Sequence, residues 1–171
     1  ITAERQRMQE LQSRSTYVID TTNMTPAQLK EEIRLLFAEG EELERLLITL
    51  VSFGFKRGLP LDADMVFDVR FLPNPFYVQT LCDGTGLDEA VRKYVLNWPE
   101  TESFLAKVVE LIEFLIPYFI KEGKSSLVIG IGCTGGRHRS VTIAQELGDR
   151  LSAKEHRVFV QHRDIKKDVE E

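Results

Sequence analysis

Between residues 132 and 140 the chain reads Gly132-Cys133-Thr134-Gly135-Gly136-Arg137-His138-Arg139-Ser140. A thiol, two hydroxyls, an imidazole and two guanidinium groups stand around adjacent glycines, which is more polar machinery than a tight turn with solvated cations needs. Such a set suits the holding of an anion, most plainly a phosphate. Arginine offers paired donors to phosphoryl oxygens, and a glycine-rich backbone can turn successive amides toward one point. The flanking residues agree. Leu127-Val128-Ile129-Gly130-Ile131 predicts a buried strand before the loop, and Val141, Ile143, Ala144, Leu147 and Leu151 recur at helical spacing after it. The loop therefore opens onto a helix N-terminus, where unpaired amides and the helix dipole favour negative charge.

Other strands and helices must hold this loop. Leu46-Leu47-Ile48-Thr49-Leu50-Val51 predicts a strand, followed by the glycine-punctuated loop Ser52-Phe53-Gly54-Phe55-Lys56-Arg57-Gly58, whose two cations are a second anion contact or a basic face. Met65-Val66-Phe67-Asp68-Val69-Arg70 predicts another strand, which ends at Phe71-Leu72-Pro73-Asn74-Pro75 because a proline disfavours helix at the residue before it. Gly84-Thr85-Gly86-Leu87-Asp88 is a turn before a helix over residues 89–96. Pro99 then starts a long amphipathic helix with Phe104, Val108, Leu111, Ile112 and Leu115 on one face, and Pro117 is placed to kink its end. Arg157-Val158-Phe159-Val160 is a last strand, ending at Gln161-His162-Arg163-Asp164. This order predicts an α/β fold, a mostly parallel sheet flanked by helices, with the phosphate-type loop between the penultimate strand and its helix. Ligands of such sheets gather at the carboxyl ends of the strands, where Asn74, the Cys133 loop and His162 all fall.

The 171 residues suit one domain, or one domain and part of another. Residues 1–14 read as a charged helix, Tyr17-Val18-Ile19-Asp20 as a short strand, and Thr25-Pro26 as the start of an amphipathic helix to residue 37. These elements cannot bury a core alone. They predict that residues 1–40 are the end of another α/β domain and residues 41–171 a domain of their own, joined at Ala38-Glu39-Gly40-Glu41-Glu42. The opening at Ile1, without methionine, predicts a fragment, engineered or proteolytic, of a longer protein. A formal net charge of −5 argues against a general nucleic-acid binder. Cys82 and Cys133 stand in no zinc spacing, so no metal site is expected; a reducing, cytoplasmic compartment fits them. No apolar run reaches membrane-spanning length.

Two chemistries fit the loop. Cys133 to Ser140 has the pattern C-x5-R-S, which resembles the loop of cysteine-dependent protein phosphatases: a thiolate attacks phosphorus while amides and Arg139 hold the oxygens. Trp98-Pro99-Glu100 resembles their acid loop, with Glu100 as the proton donor. Gly132 in place of the usual His, and Glu100 in place of Asp, depart from that pattern.

The second reading is binding without turnover. Ser52-Phe53-Gly54-Phe55-Lys56, Asp68-Val69-Arg70-Phe71-Leu72-Pro73-Asn74-Pro75, Thr85-Gly86-Leu87-Asp88, the Cys133 loop and His162-Arg163-Asp164 together resemble the C-terminal domain of the RapZ/YvcJ family of bacterial P-loop nucleotide-binding proteins. Tyr17-Val18-Ile19-Asp20-Thr21-Thr22-Asn23 resembles the end of that family's N-terminal kinase-like domain. The resemblance implies that the full-length protein hydrolyses ATP or GTP with Mg, whereas this chain has no G-x-x-x-x-G-K-[ST], needs no cofactor and is not expected to be an enzyme.

For this chain the resemblance implies a sensor of amino-sugar metabolism. It would bind glucosamine-6-phosphate or UDP-N-acetylglucosamine, act through a regulatory protein partner, and assemble as a homo-oligomer. Carried over by position, Cys133, Thr134, Gly135, Gly136, Arg137, His138, Arg139 and Ser140 form the ligand site, bordered by Asn74, Thr85 and Asp88. Phe76 and Cys82 replace a His and an Arg common in the family, removing two cations from the rim. RNA binding, which the resemblance also raises, is weak here because Asp168, Glu170 and Glu171 dilute Arg163, Lys166 and Lys167.

Overall fold

The computed structural model describes residues 46–166 without a break and, before them, Ser15, Ile19, Thr21, Thr22, Met24, Thr25, Pro26, Leu29 and Ile33. The chain divides into two units, Ile1–Leu43 and Glu44–Glu171. In the first, Pro26 is helical and the Leu29 amide donates to the Thr25 carbonyl at 3.0 Å, as the Thr25-Pro26 helix start predicts. The helix expected over residues 1–14 and most of the strand expected at 17–20 lie outside the described residues.

The second unit carries a four-stranded parallel sheet, made of β1 (Leu47–Gly54), β2 (Met65–Asp68), β3 (Ser126–Cys133) and β4 (Arg157–His162), in the order β2-β3-β1-β4. Three α-helices accompany it: α1 (Glu89–Leu96), α2 (Pro99–Lys121) and α3 (Arg139–Ser152). The fold is therefore the expected α/β arrangement, with the glycine loop between β3 and α3. The central strands read as continuous apolar runs because both their faces are covered, while β2 and β4, at the edges, alternate between more and less exposed residues.

Helix starts follow local chemistry. Pro99 opens α2, where a missing amide hydrogen costs nothing, and Glu100 and Glu102 complement the dipole in its first turn. The helix runs on past Pro117 to Lys121. Its inner side buries Leu105, Val108, Ile112 and Ile116 with Ile129, Ile131, Ile143 and Leu147 in one core.

Strand register sets the functional edge. Gly54 pairs with Cys133, Asp68 with Gly132, and Ser52 with His162. All four carboxyl ends thus finish nearly level, and the segments leaving them meet there. Among the described residues no helix is long and apolar enough to cross a membrane.

Candidate functional site

The glycine loop begins where β3 ends, and its floor is a thiol. Cys133 is buried, its Sγ lies 3.1 Å from Ser140 Oγ, and the Gly136 amide donates to it at 3.3 Å. The chain is thereby folded into a cup, with Ser140 reaching back from the first turn of α3. Gly136 makes this possible through a positive φ of 79°.

Behind the cup the backbones nearly touch. A Cβ on Gly54 would sit 2.5 Å from the Gly135 carbonyl carbon, and one on Gly136 would sit 2.6 Å from the Gly54 nitrogen. What fixes this contact is Asp164, just past β4. Fully buried, it accepts from the Gly54 amide at 2.9 Å and from Arg163 Nε and Nη2 at 3.1 and 2.7 Å. Arg163 also donates to the Gly58 carbonyl at 2.7 Å and lies over the Phe53 ring. Sequence reasoning left Asp164 out of the site. The signal available was an Arg-Asp pair directly at a strand's carboxyl end.

Arg137, His138 and Arg139, consecutive in the loop, face segments far away in sequence. Arg137 donates through Nε to the Gly84 carbonyl at 2.9 Å and through Nη2 to that of Asp83. His138 is buried, with Nε2 3.1 Å from the Cys82 carbonyl oxygen. Burial holds its pKa below the ordinary histidine value, so the ring is neutral at pH 7 and accordingly donates to that carbonyl; Arg137 and Arg139 push in the same direction.

Arg139 is 5% exposed. Its Nη1 donates to the carbonyls of Arg70 and Leu72 at 2.8 and 2.9 Å, and its Nη2 to Thr134 Oγ1 at 3.3 Å. Nε has no hydrogen-bond partner and is the one buried side-chain nitrogen or oxygen among the described residues in that condition. An orphaned donor on a buried cation costs about 1–3 kcal/mol and calls for an acceptor. In a guanidinium, Nε–H and Nη2 share one edge. The Nη2 of that edge reaches Thr134, a loop residue.

The bordering residues are mostly engaged with their own turns. Asp88 accepts from the Thr85 amide at 2.6 Å and the Thr85 hydroxyl at 2.9 Å, and these bonds hold its carboxyl below the usual range, aided by Arg137 and His138. Between them Gly86 lies against the head of α3: its amide donates to the Arg137 carbonyl at 2.8 Å, and its carbonyl accepts from Thr142 Oγ1 at 3.0 Å. Asn74 Oδ1 accepts from the Phe76 amide at 3.4 Å, starting a short 3-10 turn over Pro75–Tyr77.

Glu100 is not brought to the thiol. It is exposed in the first turn of α2, and its neighbour Glu102 pairs with Arg150 near the end of α3. Roughly 16 Å of helix separates Arg150 from the Cys133 end of that helix. A groove lined by Ala106, Val109, Arg150 and Lys154 lies at that far end, where both cations are already paired with glutamates.

His162 meets Ser52 Oγ at 2.9 Å through Nδ1, and burial lowers its pKa. Arg70, on the rim, is held by both oxygens of Asp68 and lies 4.3 Å from the centre of the Phe55 ring. His156, before β4, is half-buried, with Nε2 3.4 Å from Glu113 Oε1. Among the described residues no His, Cys, Asp and Glu side chains gather as a metal site would require.

Comparison with known proteins adds a family to this geometry. The family model of the RapZ C-terminal domain matches residues 46–166. A nucleotide-binding protein of Acetivibrio thermocellus is 53% identical over 168 residues, covering 98% of this chain and 58% of that protein. A nucleotide-binding protein of Caldanaerobacter subterraneus is 52% identical over 165 residues, covering 96% of this chain and 58% of its own length. One of Alkaliphilus oremlandii is 54% identical over 164 residues, with 96% and 57% covered. The chain thus spans a little over half the length of these curated relatives.

Proposed function

The chain belongs to the RapZ C-terminal domain family, and on that premise we propose that residues 41–171 form a ligand-sensing domain for a phosphorylated amino sugar or nucleotide sugar. The ligand's phosphate sits in the Cys133 cup, on loop amides, the head of α3 and Arg139. Glucosamine-6-phosphate and UDP-N-acetylglucosamine are the two candidates, and signalling proceeds by contact with a regulatory protein in the cytoplasm from a homo-oligomer. Residues 1–40 are the end of a P-loop kinase-like domain, and ATP or GTP hydrolysis belongs to the longer proteins' sequence outside this chain.

The supporting observation is the orphaned Nε of Arg139, a buried donor beside the Nη2 that reaches Thr134 of the loop. Phosphate oxygens supply the missing acceptor, and a helix N-terminus beside it suits their charge. Calorimetric titration with inorganic phosphate and each sugar ligand tests this. Saturable binding of one sugar ligand that is lost in Arg139→Lys, with an unchanged circular dichroism spectrum, is expected; no heat from any of them removes the proposal.

A second reading, phosphoryl transfer through Cys133, draws on the Gly136 amide that donates to its sulfur and the Ser140 hydroxyl beside it. The position of Glu100 leaves it without an acid for the leaving group. It predicts turnover of p-nitrophenyl phosphate that vanishes in Cys133→Ser, whereas the sensor predicts none.

A further inference from the structure

The same arginine has two ends, and they point to different parts of the molecule. Nη2 reaches the glycine loop at Thr134, while Nη1 grips the carbonyls of Arg70 and Leu72, which belong to the segment leaving β2. These carbonyls lie 67 and 69 residues before Arg139 in the chain. We propose that Arg139 is a coupling residue: an anion taken up on its inner edge fixes the segment 70–77 through its outer one. This inference rests on the sensor reading and specifies how occupancy is transmitted.

The segment is built to respond. Its anchors are side chains rather than a sheet ladder: Leu72 and Pro75 are buried, Arg70 is held by Asp68 and Phe55, Phe71 meets the Phe104 ring edge-on at 5.4 Å, and Asn74 supports one turn. Phe71, Phe76 and Tyr77 are exposed, Tyr77 at 83%. A rigid proline pair at 73 and 75 keeps the ensemble narrow enough for two carbonyl bonds to hold it. Within the protein Arg139 is positioned by Thr134 Oγ1 at 3.3 Å and by the two carbonyls. An anion on Nε and Nη2 pins the guanidinium in its plane, and the carbonyl bonds then act against a fixed partner. Binding and ordering are linked, so loosening the segment must weaken binding by the same factor that binding tightens the segment.

Hydrogen exchange read by mass spectrometry, with calorimetry on the same sample, tests the coupling with the full 171-residue chain and inorganic phosphate or glucosamine-6-phosphate as probe. Amides of residues 70–77 should exchange several-fold more slowly once the probe is bound. Pro73→Gly, which leaves every cup residue in place, should weaken the probe by about two- to fivefold, the range expected for the added backbone freedom. Binding heat with no change of exchange at 70–77, or Pro73→Gly binding as tightly as the parent, would overturn the coupling while leaving the sensor reading intact. Absence of binding heat for every probe would remove both.

Discussion

A single buried carboxylate holds the back of the cup. Asp164 ties the Gly54 amide and the Arg163 guanidinium at one point, so removing it leaves a donor and a cation unsatisfied. Asp164→Ala should cost about 3 kcal/mol in a urea titration, and Asp164→Asn, which keeps an acceptor for Gly54, roughly half as much. Equal losses for the two would mean that packing, not the bonded oxygen, is what matters there. Residue types around the loop were readable from sequence because Cys, Thr, Arg, His and Ser crowd two glycines. Their partners were not. Arg137, His138 and Arg139 all donate to backbone carbonyls more than fifty residues away, and a carbonyl carries no residue-type signal. The same holds for Asp164, whose principal acceptor role is toward the amide of a glycine 110 positions earlier.

Elements were more legible than contacts, because each has its own periodicity or punctuation. The long helix announced itself with Pro99, and α1 with the glycine turn before it. The central strands were visible as apolar runs, although β2 stops at Asp68 rather than Arg70: beyond it Asp68 turns its carboxylate onto the Arg70 amide and side chain. Register between elements was invisible, and register is what makes the site. The turn before α1 docks on the head of α3 only because residue 86 has no side chain. A Cβ there would lie 2.3 Å from the His138 carbonyl oxygen and 2.6 Å from the Thr142 nitrogen. Gly86→Ala should therefore displace that turn and destabilise the fold by roughly 2–3 kcal/mol, as overpacking against backbone does. A thermal melt within a degree of the parent would show that the turn is free to move.

For the whole molecule, one buried imidazole and one half-buried one set the response to acid. His138 and His162 are both held below their ordinary value of 6.5 by burial, whereas in the unfolded chain they take up protons at that value. The unfolded state then binds more protons, so stability is intact above about pH 6.5 and falls as pH drops through it. Urea midpoints at pH 7.5 and 5.5 should show that fall, and replacing either histidine by Gln should reduce it. A midpoint independent of pH over this range would mean that the rings titrate as freely folded as unfolded. The carboxylates contribute little in this window, because Asp88, Asp68 and Asp64 are held below the usual range by their hydrogen-bond donors, in the last case against the opposing effect of burial.

The sensor reading depends on one place in this molecule receiving an anion. A two-dimensional amide NMR titration with glucosamine-6-phosphate, extended to the arginine Nε–H signals, looks at that place directly. The largest shifts should fall on the amides of Gly135, Gly136, His138 and Arg139 and on Arg139 Nε–H, with smaller ones at 70–77. Shifts confined to other surfaces, or an Arg139 Nε–H unmoved at saturation, would contradict the cup as the ligand site.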